Sequence, residues 1–315
     1  MFTQTKKGDE METKLALNKR IYHQRFLLLM ALPAVVWMII FNYIPMYGVI
    51  IAFQNYRIIK PIIGQPFVGF EHFVELFTSG DFGNVMKNTL GISFLRLFIG
   101  FPLPIIFAIF LNEIKSISFK RFIQTVSYLP HFLSWAVLGG IMVNWLSDVG
   151  FINELLMNMG FISEPVFYLA EPDMFWGIAV FSDIWKELGW GAIIYLAAIA
   201  GINPSLYEAA TVDGCNRFHK MIHITLPSIA PTISIFLILA ISGMLNTNFE
   251  QILVLRNSLN QSASDVIDVF VYRTGMIAGR YSYAQAIGLF KSVVALILLG
   301  GANKITQKTS GHSLY

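Results

Sequence analysis

Ser205-Leu206-Tyr207-Glu208-Ala209-Ala210-Thr211-Val212-Asp213-Gly214, then nine residues, then Ile224-Thr225-Leu226-Pro227, form the one polar, well-punctuated insert between two long apolar runs. Ser205 followed three residues later by Glu208 is a capping box, which predicts a short helix starting there. Gly214 supplies the left-handed conformation that ends it. Asn216 is placed to cap a second short helix through Met221. Pro227 suits the first turn of the next long helix. The stretch reads as a helix-turn-helix lying at a membrane surface.

The flanking runs decide the class. Of the 315 residues, 55% are hydrophobic and 13% charged, against about 25% charged in a soluble domain. At about 1.5 Å rise per residue, about 20 apolar residues cross a core of about 30 Å. Six segments qualify: 26–51, 88–111, 122–146, 174–200, 227–250 and 283–303. The expected fold class is all-α, a polytopic membrane protein of six transmembrane helices with no sizeable soluble domain. The net charge of +3 does not suggest nucleic acid as a partner. With the N-terminus in the cytoplasm, cytoplasmic segments hold thirteen Lys and Arg and outer loops six. That asymmetry supports the orientation and puts the insert on the cytoplasmic side. Cys215 is the only cysteine, so no intrachain disulfide or cysteine-based metal site is expected, and no metal site is proposed.

The insert resembles the EAA loop of the permease subunits of ATP-binding-cassette (ABC) importers, whose pattern is Glu-Ala-Ala, three residues, Gly, nine residues, Ile-x-Leu-Pro. Glu208, Ala209, Ala210, Gly214, Ile224, Leu226 and Pro227 all match. In the plainer reading Glu208 only caps and the alanines only pack. Tyr207 through Pro231, the run from Ser264 to Arg273, and Ala286 to Ser292 are similar to the oligo- and polysaccharide branch of the type I carbohydrate importers. Gly69-Phe70-Glu71-His72-Phe73 looks like the pattern that opens the family's outer-loop helix. The resemblance implies a second homologous permease, two ATPase subunits that carry ATP and Mg, an extracellular solute-binding protein and a carbohydrate substrate. It implies no cofactor on this chain, membrane lipid around it, a bacterial cytoplasmic membrane with both termini inside, and alternating access. The expected organisation is a tail over 1–25, a first transmembrane helix and outer loop over 26–85, the permease core over 86–305 and a tail over 306–315. The ATPase-coupling residues would be the seven matched positions.

Charges at mid-depth are costly in a bilayer, about 2.5–3.5 kcal/mol on insertion scales, and so must face protein or water. Asp183, Lys186 and Glu187 share a helix face by their i, i+3, i+4 spacing. Arg96 and Lys291 sit about eight residues into their segments. Asn246, Asn248, Glu250 and Gln251 form the polar outer part of helix five, and Asp183 to Gly191 is expected to interrupt helix four. These residues suggest a wet, polar passage, with Trp185, Trp190 and Trp176 as candidate stacking faces for sugar rings. The alternatives are a local Asp183–Lys186 ion pair and an interface anchor at Trp176. Arg96, Lys186 and Lys291 could meet the carboxylate of an acidic sugar, or be neutralised by Asp183 and Glu187. The loop 147–173 carries five acids and no Lys or Arg; it reads as a solvated lid or a docking surface.

No catalytic residues stand out, and the chain is not expected to be an enzyme. Gly288-Leu289-Phe290-Lys291-Ser292 lacks the spacing of a phosphate-binding loop. His219 and His223 have no acid between them, unlike a zinc protease helix. The rivals are a secondary transporter or channel not driven by ATP, which predicts paired half-repeats, and a membrane-embedded enzyme.

Overall fold

The computed structural model describes Lys19 and residues 22–310. Most of the tail expected over 1–25 lies outside these residues, as does the part of 306–315 beyond 310. In chain order the helices are α1 (Arg25–Phe53), α2 (Glu71–Thr78), α3 (Gly80–Glu113), α4 (Ile117–Phe132), α5 (Trp135–Trp145), α6 (Phe151–Asn158) and α7 (Pro172–Ala200). The insert holds α8 (Pro204–Val212) and α9 (Arg217–Ser228). Then come α10 (Ala230–Ser242), α11 (Phe249–Leu255), α12 (Gln261–Ser264), α13 (Ile267–Tyr272) and α14 (Tyr281–Ser310). Helices α1, α3 and α14 are each long and apolar enough to cross a membrane. Three further crossings are bent pairs: α4 with α5 (100°), α7 with α8 (72°) and α9 with α10 (63°). The fold is the all-α, six-crossing architecture expected of the sequence.

Helix α1 lies against the bundle only through its last turns, which pack on α14. No residue of Arg25–Met38 is buried, and its Phe, Leu and Trp side chains are exposed. The rest forms a bundle with three apolar clusters. One joins Ile105 and Ala108 of α3 to Ala192, Tyr195 and Ile199 of α7 and to Ile229, near the insert. A second gathers Ile92, Trp135, Leu138, Phe175, Ala179, Ile252 and Val266 toward the opposite end. A third ties α2, α3, α13 and α14 through Leu76, Val85, Ile267 and Ile287.

Three prolines leave a common mark. Ile44, Phe101 and Leu226 each precede a proline, and each donates its N–H five residues back, to Ile39, Arg96 and Met221. Proline lacks the donor for the normal bond, and its ring clashes with the carbonyl four residues before it. Widening one turn moves that carbonyl aside and keeps the helix continuous. The wide turn in α3 spans Arg96–Gly100, where the passage cation sits.

Five expectations need correction. The Asp183 to Gly191 stretch does not interrupt α7, which runs 29 residues unbroken; its charges find partners on neighbouring helices, so the backbone need not open. The segment 122–146 is not one straight span. Helix α4 ends after Pro130, and Ser134 caps a new helix by accepting from the Val137 N–H. The segment 227–250 ends early, at Ser242, and 243–248 is non-helical before Asn248 caps α11. The stretch 252–282 is no simple outer loop: α11 to α13 return into the bundle, where Ile267 N–H donates to Thr89 Oγ1 at 2.9 Å. Helix α14 also continues to Ser310, into the region expected as a tail.

Lipid tails are as apolar as leucine, so close fit holds such helices together. Gly91 seats the Trp176 ring, and Gly189 lies against the Ser127 carbonyl, where a Cβ would collide with backbone. Gly189→Ala should therefore lower stability by about 1–3 kcal/mol. A Cβ at Gly140 meets nothing within 4 Å, so Gly140→Ala should be neutral. Thermal melting of both variants in detergent checks this, with a lowered transition expected only for Gly189→Ala.

Candidate functional site: a strutted insert and a polar passage

The first helix of the insert is capped two residues earlier than the capping-box reading at Ser205 places it. Asn203 accepts from the Ser205 N–H at 3.1 Å, and Pro204 takes the first helical position. Glu208 is thereby released from capping and stands exposed, as does Ala209, while Ala210 is buried. Gly214, at φ +75°, turns the chain, and Asn216 caps α9 through the His219 N–H at 2.8 Å. Pro227 does not open the next long helix. It sits in the last turn of α9, Ile229 makes the bend, and Pro231 takes the first turn of α10.

Two side-chain struts fix α8 to α9. Tyr207 Oη bonds Thr225 Oγ1 at 2.9 Å, and Lys220 Nζ donates to Thr211 Oγ1 at 2.6 Å. Ile224 is half-buried; Gly214, Leu226 and Pro227 are exposed. Around Glu208 the exposed residues include Leu206, Val212 and Phe218, with Val212 89% exposed. His219 and His223 stack at 5.1 Å on the exposed side of α9.

Within the bundle, Asp183 of α7 accepts on Oδ2 from Arg96 of α3, from Nη2 at 2.6 Å and from Nε at 2.9 Å. Asn248, after the break in helix five, reaches Asp183 Oδ1 at 3.5 Å. One carboxylate thus joins three stretches of chain. Arg96 and Asp183 border a cavity of about 320 Å³ whose lining also includes Ser93, Glu187 and Asn246.

The other two α7 charges turn to the α4–α5 elbow. Lys186 Nζ donates to the His131 carbonyl at 2.6 Å and pairs with Glu187 at 3.3 Å. Glu187 also meets His131 Nδ1 at 2.7 Å. The Asp183–Lys186 local pair is not formed. Lys291 pairs with Asp268, whose other oxygen accepts from the N–H and hydroxyl of Thr247, both at 3.0 Å. Lys291 and Asp268 line a second cavity of about 650 Å³, and Asn246 borders both cavities. Gln251 is buried, donating to Ala179 O and Ser182 Oγ. Glu250 is exposed.

Trp176, Trp185 and Trp190 are not among the residues lining the Arg96–Asp183 cavity or the Lys291 cavity. Trp185 faces an apolar pocket with Met142, Leu146 and Phe181. Trp176 Nε1 donates to the Ala263 carbonyl at 3.2 Å. Trp190 stacks on His131 at 4.2 Å, nearly parallel. Sequence reasoning missed Asp268 as the partner of Lys291, and His131 as the partner of Glu187. Asp268 stood inside a stretch read as outer loop, and nothing in its spacing pairs it with Lys291.

The family model described as "Binding-protein-dependent transport system inner membrane component" matches residues 100–310. The chain is 43% identical over 295 residues to Protein LplB of Bacillus subtilis (strain 168), covering 92% of this chain and 91% of that protein. It is 40% identical over 305 residues to the polygalacturonan/rhamnogalacturonan transport system permease protein YteP of the same organism, covering 96% and 94%. Among solved structures, it resembles a chain of a bacterial ABC transporter involved in the import of the acidic polysaccharide alginate. That match has a TM-score of 0.85 and 40% identity, covering 93% of this chain and 99% of the other. A bacterial alginate ABC transporter in complex with alginate pentasaccharide-bound periplasmic protein matches at TM-score 0.86 and 39% identity, covering 94% and 99%. This chain belongs to the binding-protein-dependent transport system inner membrane components, as a carbohydrate-uptake permease of the ABC importer type.

Proposed function

We propose that the protein is one half of the transmembrane passage of an ATP-driven importer that brings acidic oligosaccharides into the cytoplasm. ATP and Mg bind to two separate ATPase subunits, and a second homologous permease completes the passage. A solute-binding protein delivers the sugar from outside; the alginate transporter, which was solved with its periplasmic protein, supports this arrangement. The charge asymmetry of the loops supports an insert, and both termini, on the cytoplasmic side.

The observation that carries the reading is the continuity of the insert with the passage walls. Helix α8 follows α7 through a 72° elbow, and α9 runs into α10 through a 63° one. Asp183 and Glu187 ride on α7, and Asn246 and Asn248 follow α10. The α8–α9 struts leave little slack between an ATPase on the exposed Glu208 face and these walls. The Arg96–Asp183–Asn248 junction ties α3 into the same body. Closure of the ATPases on ATP would then turn the body as a unit against the sister permease.

The substrate charge follows from the paired cations. Arg96 and Lys291 are each neutralised by a carboxylate of this chain. An arriving uronate carboxylate would share Arg96 with Asp183, or Lys291 with Asp268, and this competition would hold the sugar only loosely before its release. Transport needs that balance, binding strong enough to enter and weak enough to leave. The relatives named for polygalacturonan and alginate support an acidic substrate.

Glu208→Lys, or Gly214 replaced by a bulky residue, should abolish uptake while the permease still co-purifies with its ATPase and sister permease. Normal uptake by both variants would contradict the coupling role. Arg96→Met should destabilise by about 3 kcal/mol, because it leaves Asp183 unpaired, and Arg96→Met with Asp183→Asn should recover most of that loss. Thermal melting measures both. In reconstituted importer, ATPase stimulation by a uronate oligomer should exceed that by a neutral glycan of equal length, and the reverse order would rule out the acidic substrate.

A further inference from the structure

A third cavity, of about 530 Å³, opens between the end of α1, α13 with the turn after it, and the start of α14. Tyr56, Phe249, Tyr272 and Tyr281 line it, together with Asp268 and Gln285. Its size is that of a small-molecule site, about 300–1,000 Å³. The rings form two edge-on pairs. Tyr56 meets Tyr281 at 6.2 Å and 81°, and Phe249 meets Tyr272 at 5.2 Å and 60°. An edge-on pair uses one ring's edge and the other's face, which leaves aromatic faces for a further partner. None of Trp176, Trp185 and Trp190 lines this cavity, so its aromatic surface comes from other residues.

The cavity also leads somewhere. Asp268 lines it and lines the Lys291 cavity, and Asn246 lines the Lys291 cavity and the Arg96–Asp183 cavity. Three spaces thus adjoin one another in order through shared lining residues: rings first, then an amine, then a guanidinium. From this order we infer that the Tyr56–Tyr281 and Phe249–Tyr272 pairs form a receiving vestibule for one pyranose ring of the acidic oligosaccharide, ahead of Lys291. The inference rests on the proposed function for the identity of the cargo.

The chemistry fits a sugar ring. A pyranose presents C–H faces that stack on aromatic rings and hydroxyls at its edge. The three phenols can each donate and accept a hydrogen bond, and the Gln285 amide can do both. With one ring seated here, the next ring of the chain meets Lys291, whose ammonium the sugar carboxylate would share with Asp268. A lipid tail would gain nothing from Asp268 and Gln285. The vestibule therefore selects for ring-containing, chain-like cargo, and Lys291 then selects for its charge.

The test uses the full importer, with ATPases, sister permease and binding protein, in proteoliposomes taking up a labelled uronate oligomer. Tyr56→Ala and Tyr272→Ala should each reduce uptake at low substrate roughly tenfold, about the value of one aromatic contact. Tyr56→Phe and Tyr272→Trp should retain most of it, because they keep the ring. All variants should co-purify with the partner subunits in normal amounts. Uptake by both alanine variants equal to that of the parent chain would overturn the vestibule while leaving the proposed function standing. So would loss of co-purification, which would assign these rings to the sister permease. If the parent chain takes up only neutral glycan, the acidic reading fails by itself. The same variants read on that glycan then decide the vestibule: a ring-dependent loss keeps it, and no loss overturns it.

Discussion

A charge held at mid-depth in a bilayer must be matched, and Arg96 meets that demand through Asp183. The match does more than lower a cost. Arg96 sits in a turn of α3 widened ahead of Pro102, Asp183 sits on α7, and Asn248 follows the break after α10. One carboxylate therefore fixes three stretches of chain around a cavity, adding to the apolar clusters that already join α3 to α7. The Lys291–Asp268–Thr247 group repeats the device between α14, α13 and the same break. Charge pairing and architecture are one problem here, because Arg96, Asp183, Lys291 and Asp268 line the cavities and also tie separate stretches of chain together.

The insert extends this logic to the surface. Asn203 caps α8, which leaves the Glu208 carboxylate free to point outward. The Tyr207–Thr225 and Lys220–Thr211 bonds make α8 and α9 one piece. A surface that is both exposed and stiff is suited to receive force, and its two ends are the helices that carry the passage walls. The vestibule of tyrosines adds a step before the charges, so that cargo shape is read before cargo charge.

Much of this was legible in the residues. Glu208, Gly214 and Pro227 gave the family because their spacing is tied to the turn at Gly214 and the bend after Pro227. The six crossings followed from apolar length alone. What spacing could not give was which charges meet. Asp183 and Lys186 are neighbours on α7, yet they pair with α3 and with the α4–α5 elbow, since tertiary packing decides partners. Asp268 was hidden because α11 to α13 fold back into the bundle, a return that polar composition disguises as a loop. The contacts of the tryptophans were hidden for a related reason: an indole satisfies its N–H or stacks wherever a partner offers, as Trp176 and Trp190 do.

The central claim is that the insert transmits nucleotide-driven movement to the passage. The most direct measurement is the reaction rate of a cysteine at Asn246, in a Cys215→Ser background, with a membrane-impermeant thiol reagent added from outside. Asn246 is exposed and borders two cavities of the passage. The account predicts that trapping the assembled importer with ATP changes this rate several-fold, and that Glu208→Lys abolishes the change. An equal nucleotide dependence with and without Glu208→Lys, or none in either, would contradict it.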